Sequence, residues 1–157
     1  MSTPAQMSPN ANAYLRTRVL TATPEELRLM LLDGAIKFCR QGREAMEKKN
    51  WEGAHTGISQ CRDIIFELLT TIREEIDPDL ASKTKALYSF MYRTLVEGKF
   101  EKDLTKIDSV ISLLEFERET WVMLMAKLAE ERGRTAPAAG APGAPTNEKR
   151  VPLSLQA

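Results

Sequence analysis

With one histidine, two cysteines and no excess of either charge, this 157-residue chain lacks the usual equipment of an enzyme or a nucleic-acid binder. A catalytic triad cannot be assembled plausibly around His55 alone. No E-x-x-H pair is present for a di-iron bundle, and no Gly-rich loop follows a strand pattern. Twenty-two basic side chains against 22 acidic ones give no long-range field toward a polyanion or an anionic membrane surface. Cys39 and Cys61 are too few for a disulfide scaffold and lack metal-ligand spacing. No run approaches the roughly 20 apolar residues that span a bilayer. The opening MSTPAQMSPN has neither the charged n-region nor the apolar h-region of a signal peptide. These absences predict a cytosolic protein that is not an enzyme and has no cofactor, metal, nucleic acid or membrane insertion. The 43% of hydrophobic residues is enough for one core.

What is present is helical amphipathicity. Thr23, followed by Pro24, Glu25 and Glu26, has the spacing of a capping box with Pro at the first helical position, so a helix is expected from about Pro24. At about 100° per residue, Leu27, Leu31, Gly34, Phe38 and Ala45 form one stripe, while Leu29, Leu32 and Ile36 gather nearly opposite. Two readings follow. Either the helix is central and buried all round, or one apolar side is left for a partner.

Three more helical patterns follow, from about Trp51 to Glu75, from Pro78 to Gly98 and from Glu101 to Glu131. Asn50 and Asp77 are in place to cap the first two of these, and Gly98 suits a C-terminus. On the third helix, Leu80, Thr84, Leu87, Met91 and Leu95 are expected inward. On the last, Leu113, Phe116 and Leu124 fall off the main stripe, a second surplus of apolar surface. If a tight turn sits near Asn50, Cys39 and Cys61 lie equidistant from it and face each other as small buried hydrophobes. Strand alternation is absent.

Short links between long helices favour antiparallel neighbours, so the expected fold is all-α, an antiparallel up-down four-helix bundle over residues 13–132. A short N-terminal segment, 13–22, is a candidate lid. Residues 1–12 are expected to be disordered, and the Pro/Ala/Gly-rich 133–157 to be a flexible tail ending in the apolar patch VPLSLQA.

AYLRTRVLTATPEELRLMLLDGAIKF at 13–38, CRDIIFELLTTI at 61–72, LYSFM at 87–91 and KDLTKIDSVISLLEFERETW at 102–121 together resemble the FliS family of flagellar export chaperones. The resemblance covers about residues 13–130. It departs from the family at Leu32, where an aromatic commonly precedes the DGA, and it does not extend to the tail. It implies a chaperone that binds the C-terminal segment of unfolded flagellin, prevents premature polymerisation and helps deliver the subunit to the type III export gate. It also implies an N-terminal lid over the groove, assigned here to Tyr14, Leu15 and Leu20. The helical wheels place the groove itself at Leu29, Leu32 and Ile36 with Leu113, Phe116 and Leu124. Two alternatives stay open, a phosphotransfer bundle using His55 and a structural four-helix adaptor that forms a weak homodimer.

Overall fold

The computed structural model describes residues 9–135, which form five helices: α1 Pro9–Thr21, α2 Pro24–Glu47, α3 Trp51–Thr70, α4 Pro78–Glu101 and α5 Leu104–Thr135. No strand occurs among the described residues. The expectations for residues 1–8 and 136–157 lie outside them. The expected disorder of residues 9–12 is corrected: these residues form the first turn of α1, a 13-residue helix that buries none of its side chains.

α2 starts where its caps require. Thr23 Oγ1 accepts from Glu26 N at 3.2 Å and Glu26 Oε2 accepts from Thr23 N at 2.9 Å, so both members of the capping box are bonded. Thr23→Ala is expected to cost about 1 kcal/mol of stability, read from urea unfolding. Asn50 caps α3 through Gly53 N, after a turn in which Lys49 adopts a positive φ of 59°. α3 stops at Thr70, five residues short of the expected Glu75. The Thr70 and Thr71 hydroxyls donate back to the Glu67 carbonyl, a local alternative to the next helical turn. Asp77 Oδ1 then accepts from Leu80 N and opens α4. Gly98 does not end α4. The stop is Lys102, left-handed at φ 55°, after which Asp103 caps α5.

α2 packs against α3 and α5, and α4 packs against the same two helices. Along α2 and α3, Gly34 meets Ile64, Gly42 meets Gly57 and Ile58, and Ala45 meets Gly53, so position falls on one helix as it rises on the other. Along α2 and α5 the ion pairs Arg43–Asp108, Arg40–Glu115 and Asp33–Arg118 run the same way, ending where Trp121 Nε1 donates to the Glu25 carbonyl. Gly98 beside Ile107 and Tyr88 beside Glu117 do so for α4 and α5.

The buried stripe of α2 is Leu32, Ala35, Ile36, Cys39, Gly42 and Met46. It lies between the two apolar stripes seen in the sequence, which are therefore the flanks of one broad inward face. A helix with two packing neighbours needs such a face, and its centre is made of small residues. Cys39 and Cys61 are both free, buried and in contact. The hydrogen bond between them, together with burial, pushes the Cys61 thiol up, which keeps it protonated and inert. On α4, Leu80 is exposed rather than inward, and Tyr88 is fully buried in the core.

Candidate functional site

At the end of the fold where α2 begins, α3 and α4 are joined by the link 71–77, and the packing leaves a cavity of about 680 Å³. Leu27 and Leu31 of α2, Leu68 of α3, Ile72 and Ile76 of the link, and Leu80 of α4 supply its apolar wall, with Trp121 of α5 closing one side. Ile76 is 80% exposed and Leu80 60%, so the rim is oily and open. The early end of α3 is the cause. Because the chain leaves the helix at Thr70, the next residues form a bridge that arches over space instead of a rod that fills it.

Arg28 organises the wall beneath. Its guanidinium lies 5.6 Å from the Tyr88 ring centre and 5.2 Å from that of Trp121, and its Nη2 donates to the Tyr88 hydroxyl at 3.0 Å. That hydroxyl in turn donates to Glu117 Oε2 at 3.2 Å. Burial, above all, pushes the Tyr88 pKa up to about 12. A charged side chain thus serves as a fixed, stacked panel between two rings.

A second opening of about 660 Å³ runs between α2 and α5, lined by Ile36, Val122 and Met123 among the charged Asp33, Lys37, Arg40, Glu115, Arg118 and Glu119. Trp121 faces the end cavity and its neighbour Val122 faces this furrow, so one turn of α5 touches both.

The residues named from the wheels do not form one groove. Leu32 is a core residue with no exposed surface. Ile36 is buried except for an edge in the α2–α5 furrow, and half-buried Leu29 lies about two turns before Lys37 and one turn before Asp33 on that helix. Leu113 is half-buried against the core, Phe116 is 65% exposed, and Leu124 lies beyond Trp121 on the length of α5 that outruns α2. The apolar lining that α5 gives the furrow with Ile36 is Val122 and Met123 in place of the expected Leu113 and Leu124. In the N-terminal segment Tyr14 is 67% and Leu20 75% exposed, and Leu15 is half-buried. The end cavity was missed altogether, although Ile72 and Ile76 before the DPDL break and Leu80 at its end were visible as an apolar series across a helix stop. The packing also brings Lys99 Nζ of α4 against His55 Nδ1 of α3, a cation that no local sequence window contains. Burial, then the neighbouring Arg62, holds the Lys99 ammonium below its usual range.

No cluster of His, Cys, Asp and Glu suited to a metal occurs among the described residues. No described helix is long and apolar enough to cross a membrane. An open cavity with a mainly apolar wall is suited to holding a partner.

Residues 7–128 match the family model described as Flagellar protein FliS. The chain belongs to the FliS family. Similar proteins include the flagellar secretion chaperone FliS of Bacillus subtilis strain 168, 32% identical over 120 residues, which are 76% of this chain and 89% of that protein. The FliS of Escherichia coli K12 is 26% identical over 71% of this chain and 82% of its own. That of Salmonella typhimurium strain LT2 is 25% identical over 85% of this chain and its entire length. The FliS match spans α2 to α4 and most of α5, and so includes every residue of both cavities.

Proposed function

We propose that this chain is a cytoplasmic secretion chaperone for flagellin. It holds the C-terminal segment of the unfolded subunit, prevents its premature polymerisation and assists its delivery to the flagellar export gate. The support is the family together with one geometric observation, the open apolar cavity at the start of α2, continued by the furrow along α2 and α5. In this reading α2 to α5 form an antiparallel up-down four-helix bundle, favoured by the opposed residue order along each pair of packed helices. The client's amphipathic segment lays apolar side chains over Leu27, Leu31, Ile72, Ile76 and Leu80. It continues past Trp121 to Val122, Met123, Ile36 and Leu29. α1, with Tyr14, Leu15 and Leu20, is joined to α2 by two residues and serves as the movable cover of the furrow along α2 and α5. Leu113, Phe116 and Leu124 extend the apolar surface on α5.

Such binding orders a disordered client, and a wrapped apolar surface must offset that cost. Ile76 and Leu80 are the test positions because both are exposed, and a charge there spares the core. Ile76→Glu and Leu80→Glu each remove about 1.5–3 kcal/mol of apolar burial in the complex. The expected result is roughly 10- to 100-fold weaker binding of a flagellin C-terminal segment by calorimetry, with unchanged thermal unfolding. Unaltered affinity in the double variant would overturn the cavity as the client site.

A further inference from the structure

We infer that the end cavity is occupied by the chain's own C-terminal segment, Val151–Leu155, which makes the tail an internal competitor for the site. As a competitor the tail rests on the client reading above; as an occupant it does not.

The first ground is reach. α5 runs 14 residues past Trp121, the cavity's wall, to Thr135, about 21 Å of helix leading away from the opening. Between Thr135 and Val151 lie 15 residues, APAAGAPGAPTNEKR, of linker composition. A flexible chain of that length has a mean span of roughly 20–24 Å, which matches the distance back. The prolines stretch it without shortening its reach. A tether so matched holds its end at an effective concentration of the order of 1 mM, so even weak intrinsic affinity fills the cavity.

The second ground is chemistry. Pro152 biases Val151 to an extended backbone, and on an extended strand Leu153 and Leu155 point to one side. That gives two adjacent apolar knobs for a cavity walled by leucine and isoleucine. Lys149 and Arg150 immediately precede them. The rim carries Glu25, Glu67 and Asp77 against Arg73, and the Arg28 guanidinium is already engaged by Tyr88 and Trp121. The rim therefore faces the basic pair with net negative charge.

The family match ends at residue 128, so the tail is an addition outside the shared region. A chaperone with a tethered competitor keeps its oily cavity covered when free, and yields it to a client that binds over a larger surface.

The test compares the full chain with the full-length double variant Leu153→Asp, Leu155→Asp. These positions lie far in sequence from every core residue. The reporters are the Trp121 indole resonance and the backbone amides of 67–84. The double variant is expected to shift these signals. A synthetic peptide of residues 148–157, added at 1–2 mM by the tether estimate, is expected to reverse the shift in the variant and to change the unmodified chain far less. Superimposable spectra would overturn the inference. A shift that vanishes on dilution assigns the tail to another copy, and one reproduced by deleting residues 1–21 alone assigns the cavity to α1; either also overturns it. Affinity for a flagellin C-terminal segment is expected to rise about 3- to 10-fold in the double variant, as removal of a tethered competitor requires. If the resonances shift and this affinity does not, the tail docks but the client sits elsewhere. If no form binds the flagellin segment, the chaperone reading fails and the tail result stands.

Discussion

Gly57→Val is expected to destabilise the fold by about 3 kcal/mol or more, and Gly57→Ala by about 2 kcal/mol. A Cβ built on Gly57 comes 2.6 Å from the Gly42 nitrogen, 2.7 Å from its Cα and 2.8 Å from the Phe38 carbonyl oxygen. All three are backbone atoms of α2, so no rotamer change relieves the clash. The two helices must separate, and the packing of Ile58, Cys39 and Cys61 opens with them. Gly34 supplies the contrast. Its Cβ would meet only Ile64 Cδ1, at 3.4 Å, the movable end of a side chain. Gly34→Ala is therefore expected to be neutral or to gain up to about 1 kcal/mol from helix propensity. One chemical change, on two glycines in the same α2–α3 contact, then costs stability at one and none at the other in urea unfolding. If Gly57→Ala is as stable as the parent, the close α2–α3 contact is not what holds these helices. The spacing matters for the site as well, since Leu27 and Leu31 on α2, Leu68 on α3 and Ile72 of the link all line the end cavity.

The same glycines explain what could be read from the sequence and what could not. Helix starts were legible because caps are local: Thr23 with Glu26, Asn50, and Asp77 with Pro78 each satisfy backbone donors within three residues. Helix ends depended on less visible competition. Thr70 and Thr71 turned the chain out early, and Lys102 took the left-handed position that glycine was expected to hold. The wheel of α2 went astray because it weighed leucines and passed over Ala35, Gly42 and the centre of the arc they occupy. A helix with two neighbours buries such an arc, and its small residues set how close the neighbours come. Cys39 facing Cys61 was legible from symmetry about Asn50. For the site, the surplus apolar surface was real, yet its location depended on which residues of α5 lie across from α2. The furrow that Ile36 edges is lined on α5 by Val122 and Met123, not by Leu113. The end cavity is a product of three helix ends and a link, and no single-helix periodicity encodes it. Nor could His55 and Lys99, 44 positions apart, be paired without the fold.

Replacing Tyr88 is expected to have the largest effect of any single polar side chain, about 3–5 kcal/mol for Tyr88→Ala, because a fully buried ring leaves a cavity that its neighbours only partly fill. Tyr88→Phe separates the hydroxyl from the ring. It should cost about 1–2 kcal/mol at pH 7, since Arg28 and Glu117 each lose a partner. The hydroxyl also leaves a signature in alkali. Its folded pKa of about 12 lies above the value near 10 of an unfolded tyrosine, so the folded state keeps a proton that the unfolded state gives up. The stabilisation is complete below pH 10 and is lost as pH rises from 10 through 12, to a total of about 3 kcal/mol. Lysines titrate in the same window, but they do so in both chains. The difference in stability between parent and Tyr88→Phe isolates the hydroxyl, and it should shrink across that window and reverse sign toward its upper end as the parent loses what the variant never had. A constant difference from pH 9 to pH 12 would show that Tyr88 ionises as freely in the folded protein as in the unfolded chain. The Arg28 panel would then not be set by a sealed phenol. With the panel set, flagellin-segment affinity should also fall in Tyr88→Phe at pH 7, by less than in Leu80→Glu, because Arg28 and Trp121 remain in the wall but lose the hydrogen bond that fixes their stacking.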